Sequence, residues 1–181
     1  GRDVTLAANV VNNGTGPVSL VINGSMGRGS GQDLNDVFVT GSNTHSGGII
    51  IDAGTLRVNG SAPLGTGAIS VASGATLTFD NITNAAFANA MSGAGTFRKL
   101  GVGQLTVTNP FSIGALAVDA GRVRVNSNVT ANATVASGAT LDGTGRIIGN
   151  LTNNGTVAPG NSIGTLTVQG NYVHNANAIL D

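Results

Sequence analysis

Asp52-Ala53-Gly54-Thr55-Leu56-Arg57-Val58-Asn59 returns later in the chain as Asp119-Ala120-Gly121-Arg122-Val123-Arg124-Val125-Asn126, identical at six of eight positions. A second pair follows the first. Val71 to Leu77 reads V-A-S-G-A-T-L, and Val135 to Leu141 repeats it letter for letter. The repeated unit is a glycine followed by a short alternating strand. In Thr55 to Asn59, Leu56 and Val58 share one face, while Thr55, Arg57 and Asn59 share the other, because successive strand side chains point to opposite faces. The same alternation recurs in Thr76 to Phe79, Gln104 to Val107, Arg122 to Val125 and Thr165 to Val168. An inward leucine or valine falls at positions 56, 77, 105, 123, 141 and 166. The steps vary in length but recur throughout, which predicts one such residue per turn of a coil. No single unit has enough apolar surface to fold alone. Stacking the units buries a continuous interior, which is the solenoid solution.

Composition supports an all-β chain. Of 181 residues, 29 are glycine, 9% are charged, Glu and Trp are absent, and Lys99 is the single lysine. Strong helix formers are scarce and β-branched residues abound. The glycines show no G-X-Y period, so collagen is excluded, and the cleanly alternating 40% apolar content argues against disorder. Net charge is zero with scattered arginines, which gives no footprint for nucleic acid or an acidic membrane. With no cysteine, disulfides and thiolate metal sites are excluded. Ile82 to Ser92 is the one stretch open to a helical reading, with a strand plus loop as its competitor. Asn12-Asn13, Asn153-Asn154, Asn126 and Asn128 stand at turns, either as simple turn formers or as amide ladders between rungs.

Several motifs, taken together and in order, resemble the passenger-associated repeats of bacterial autotransporters (type V secretion). They are S-N-T-H-S-G-G-I-I-I-D-A-G-T-L-R-V at Ser42 to Val58, L-G-T-G-A-I-S-V at Leu64 to Val71, and M-S-G-A-G-T-F-R-K-L-G-V-G-Q-L-T-V at Met91 to Val107. The stretch G-T-V-A-P-G-N-S-I-G-T-L-T-V at Gly155 to Val168 is similar to the end of a passenger. The resemblance covers about residues 37–181, with His45 where the family usually carries tyrosine. It implies a right-handed parallel β-helix of roughly eight rungs, a single unit over residues 1–181. Residues 1–85 would be upstream stem rungs and 86–181 autochaperone-like rungs, with the translocator barrel outside this sequence. It further implies an extracellular chain attached to a Gram-negative outer membrane, acting in folding and display, as part of an adhesin or virulence factor. Its partners would be its own outer-membrane barrel and host-cell or matrix glycans, with the chain itself monomeric. The competing readings are the passenger of a surface protease or other hydrolase with its catalytic domain upstream, and a glycan-binding β-helix.

The expected core is Leu56, Val58, Leu77, Phe79, Leu105, Val107, Val123, Val125, Leu141, Leu166 and Val168, with Phe97, Phe111 and Tyr172 capping the last rungs. Arg57, Arg122 and Arg124 stand on outward positions as candidates for anionic glycans. Gly160-Asn161-Ser162-Ile163-Gly164 matches the G-x-S-x-G nucleophile elbow, but a strand and not a helix follows it. Asp33 and Asp36 form the nearest acidic pair, in a glycine-rich loop, while Asp52 and Asp119 occupy equivalent turn positions. His45 and His174 stand far apart in sequence and make no metal site. The expectation is therefore no catalytic residue, no metal and no cofactor, and outward Thr pairs that serve as ordinary solvent-face strand residues.

Overall fold

In the computed structural model, which describes residues 3–24, 36–59, 64–160 and 163–181, the chain is a right-handed parallel β-helix of about seven turns, with no helix among the described residues. Three parallel sheets wrap one bore. The first contains Asp36–Val39, Thr55–Asn59, Thr76–Asp80 and Thr96–Leu100, then the long strands Phe111–Val118 and Asn128–Val135. The second runs through Ala85–Phe87, Gln104–Val107, Arg122–Val125, Thr140–Gly143, Thr156–Pro159 and Ile179–Leu180. The third holds Leu20–Asn23, Ile49–Ala53, Ile69–Val71 and Met91–Gly93. Along the first sheet Leu56 stacks on Leu77 and Leu77 on Phe97. Further on, Leu116 stacks on Ala133 after a shorter turn of chain.

The bore is lined mainly by apolar side chains, with Lys99 and Asn153 among its polar exceptions. Of the expected core, Leu56, Val58, Leu77, Leu105, Val107, Val123, Val125 and Leu141 have no exposure at all and Phe79 has 4%. Inward side chains meet apolar ones on neighbouring rungs, so a single hydrophobic cluster runs from Ile22 to Val157. At its centre Phe87 packs on Phe97 with ring centroids 4.9 Å apart, and Phe111 meets both edge-on at 5.9 and 5.6 Å, a favoured aromatic geometry.

Three expectations need correction. First, the inward ladder at 56, 77, 105, 123, 141 and 166 merges two faces. Leu56 and Leu77 line the first sheet, while Leu105, Val123 and Leu141 line the second. Each face repeats more closely than the merged ladder does, because the merged ladder jumps from one face to the other. Second, Leu166 and Val168 are only half-buried, because no described residue stacks on the outer side of the rung that carries them. Third, Phe97 and Phe111 do not cap an end but fill the middle of the bore, whereas Tyr172 does lie on the last rung, exposed. Of the two readings of Ile82 to Ser92, the one with strand and loop holds. Phe87 and Met91 of this stretch are buried in the bore on two different sheets and do not share a helix face.

The letter-for-letter repeat separates local structure from long-range structure. In both copies of V-A-S-G-A-T-L the backbone N–H of the second alanine donates to the carbonyl of the first, Ala75 to Ala72 and Ala139 to Ala136, each at 3.0 Å. Gly74 and Gly138 both sit at φ +81°, where a side chain would be strained. The order of buried and exposed positions is the same in the two copies. Yet the first copy turns the chain from the third sheet into the first, Val71 to Thr76, and the second turns it from the first into the second, Val135 to Thr140. The repeat encodes a corner and is indifferent to which corner it makes.

Candidate interaction surface

The candidate arginines at 57, 122 and 124 are the first place to look for a ligand, and the fold gives each of these three a carboxylate from a neighbouring rung. Arg57 stands one rung from Asp80 and from Asp36. Its Nη2 lies 2.5 Å from Asp80 Oδ2, its Nη1 3.7 Å from Asp36, and its guanidinium lies over the Phe38 ring at 5.4 Å. Arg122 and Arg124 share Asp142, which lies at the adjacent rung of the second sheet. Arg122 Nη1 donates to Asp142 Oδ2 at 3.0 Å, and Arg124 donates through Nη2 at 2.7 Å and through Nε at 3.2 Å. Arg98 pairs with Asp119. The three candidate arginines are thus drawn into inter-rung ion pairs and do not form one free cationic patch. Asp142 is nearly sealed, with 3% of its side chain exposed, so its two guanidinium partners offset the cost of burying the carboxylate. The hydrogen bond to Asp142 raises the Arg124 pKa. Asp36, grouped in sequence with Asp33 in a glycine-rich loop, instead opens the strand Asp36–Val39 and faces Arg57; Asp33 lies outside the described residues.

Sequence reasoning passed over Lys99. Its position in Thr96–Leu100 is inward, opposite Phe79 on one side and Val118 on the other, and it has no exposure. Its Nζ donates to the carbonyls of Leu100 and, at 2.8 Å, Gly101. The alternation itself carried the signal, since Phe97 and Lys99 have the same parity, but lysine is ordinarily kept at the surface. Burial lowers the Lys99 pKa below its ordinary value, against a smaller upward pull from Asp80. In the pH interval between the folded and unfolded pKa values the unfolded chain binds more protons. Stability therefore rises with pH across that interval, and the gain is complete above about 10.5. Urea unfolding of the parent chain and of Lys99→Met, each at pH 8 and at pH 10, checks this. The rise in midpoint between the two pH values should be larger for the parent. A parallel response of the two chains would remove Lys99 as the source.

Asparagine side chains stitch the corners where the strand ladder breaks. Asn132 Oδ1 accepts from Asn150 N at 3.1 Å, and Asn150 Oδ1 from Asn171 N at 2.9 Å. Asn12 Oδ1 accepts from Ser46 N at 2.9 Å and Asn9 Oδ1 from Ser42 N at 2.7 Å. Buried Asn153 donates to Ile179 O at 2.9 Å and to Tyr172 Oη at 3.2 Å while accepting from Gly155 N. Tyr172 Oη in turn lies 3.0 Å from His174 Nδ1. Of the named turn asparagines, Asn154 makes an amide-to-amide step between rungs, accepting from Asn175 Nδ2 at 2.6 Å, whereas Asn12 and Asn153 reach neighbouring rungs through other groups.

His45 is sealed in the interior, and neither ring nitrogen has a partner among the described residues; Asn43 Nδ2 is also unpartnered there. His174 lies on the last rung with Tyr172, so the two histidines do not converge. No group of three or more potential metal ligands occurs among the described residues. In the G-x-S-x-G stretch, Asn161 and Ser162 lie outside the described residues, while Gly160 folds back on the preceding corner through paired backbone bonds with Gly143 at 2.7 and 3.2 Å. Asp52 is exposed and Asp119 is held by Arg98. No family model matches this sequence, and no curated protein and no solved structure matches it.

Proposed function

We propose that the chain is a display stem in the passenger of an autotransporter, whose C-terminal rungs template folding at the cell surface and whose length holds an adhesive tip away from the outer membrane. The parallel ladder is the main support for this reading. Strand after strand pairs in parallel with the rung before and the rung after, with register shifts at Ile22/Asn23 and Ser112/Ala115, so a formed rung offers its unpaired N–H and C=O groups to the next. Outside an outer membrane no ATP drives export, and sequential rung formation supplies a free-energy gradient in its place. The ordered motifs over residues 37–181 support the same reading. The ion-paired outer arginines favour stiffness over recognition within this segment.

The template is deeper than the last rung. Residues 163–181 are exposed or half-buried throughout, whereas the rungs from Phe87 to Val157 contain the aromatic cluster and most of the sealed aliphatics. The test is surface display of the chain fused ahead of an outer-membrane barrel. Deleting residues 150–181 strips the cover from Val135 and Leu141, whose partners on the next rung are Asn153 and Val157. The deletion should leave a displayed stem that external protease digests. Protease-resistant display of the deleted form at the parent level would overturn the proposal.

A further inference from the structure

Three asparagine–glycine pairs lie wholly within the described residues, at 13–14, 23–24 and 154–155. They are chemically alike and structurally different. We infer that Asn13 is a site of spontaneous covalent modification in the folded protein, and that the solenoid protects the other two. The backbone nitrogen of Gly14 attacks Cγ of Asn13, the new C–N bond closes a five-membered succinimide, and the side-chain nitrogen leaves as ammonia. Water then opens the ring at either carbonyl, giving aspartate or isoaspartate. No oxidant or reductant is needed.

The reaction needs a glycine N–H that is not committed to an acceptor, and a backbone free to swing that nitrogen toward the side chain. Asn13 has both. It opens an exposed turn closed by Gly16 N to Asn13 O at 3.0 Å. Gly14 stands at φ +61° with no atom within 4 Å of where a Cβ would be, and its N–H has no acceptor among the described residues. The Asn13 side chain makes no hydrogen bond there either, in contrast to its neighbour Asn12, which holds both Val18 N and Ser46 N.

The other pairs are locked by the ladder. Gly24 N donates to Ala53 O at 3.1 Å, and Asn23 ends a strand in register with Ala53. Gly155 N donates to Asn153 Oδ1 at 3.0 Å, and Gly155 is buried against the carbonyls of Ala136 and Ala139. The Asn154 carboxamide is itself engaged by Asn175. For either asparagine to react, a rung must open first. Isoaspartate at 13 inserts a methylene into the main chain beside Asn12, so modification loosens the corner that Asn12 ties to Ser46 and adds a negative charge at the first turn.

The experiment is a time course on the intact folded chain in warm, mildly alkaline buffer, read by peptide mapping. It uses the mass difference between asparagine and aspartate and enzymatic methylation of isoaspartate. Parallel samples are held unfolded in urea. The expected result is modification at Asn13 in the folded chain at a rate close to that in urea, with Asn23 and Asn154 reacting only in urea. An Asn13 that stays intact in the folded chain while reacting in urea would overturn the inference. So would an Asn23 or Asn154 that reacts in the folded chain as fast as Asn13.

Discussion

Leu141→Asp should unfold the chain, and Leu166→Asp should not. Leu141 has no exposure and is stacked between Val123 and Val157 in the second sheet. A carboxylate there faces aliphatic neighbours on both sides. The cost of an unpaired buried charge is on the order of 4 kcal/mol or more, a large part of the roughly 5–15 kcal/mol by which a domain of ordinary stability is held. Leu166 has the same side chain and the same apparent place in the repeat, but it lies on the last rung and is half-buried. An aspartate at 166 can turn to water, and the loss should stay near or below about 1 kcal/mol, as at other partly exposed sites. Urea unfolding followed by circular dichroism measures both. Equal losses in the two variants would mean that the last rung is covered as well as the middle ones.

Phe97→Ala should have the next largest effect. Phe97 lies in the bore between Leu77 and Leu116 and packs against both Phe87 and Phe111. Truncation removes the transfer free energy of a whole ring and leaves a cavity that rungs pinned at about 4.8 Å spacing cannot close. The expected loss is about 3–5 kcal/mol. Phe111→Ala opens the same cluster from the next turn, so the two changes together should not add. A loss under about 1 kcal/mol for Phe97→Ala would show that the cluster repacks.

Buried polar groups mark where alternation stopped being a sufficient guide. The parity rule put Leu56, Leu77, Val123 and Leu141 inward, and they are inward. Carried through Thr96–Leu100 without exception it also puts Lys99 inside, and Lys99 is there. Side-chain chemistry argued the other way. The resolution is a pair of backbone carbonyls at a corner, which no pattern of residue types displays. Asp142 failed in the opposite sense. It stands on an outward position and is sealed all the same, because Arg122 and Arg124 from the neighbouring rung close over it. The candidate glycan-binding arginines and the scattered acids were each visible in the sequence. Their pairing was not, since it joins side chains from different rungs whose lengths vary.

Local order of residues was enough to predict the alternation of each strand, the glycine corners and the need to stack, because these depend on neighbours a few positions apart. The two copies of V-A-S-G-A-T-L make the point, since they adopt the same corner down to the same hydrogen bond and the same glycine dihedral. Which of the three faces each copy enters is a property of the folded coil. It depends on how much chain the preceding sides consume, which is more between Leu56 and Leu77 than between Leu116 and Ala133. The accumulated path of the chain and the register of the rung beneath set that choice, and a motif this short carries no information about either.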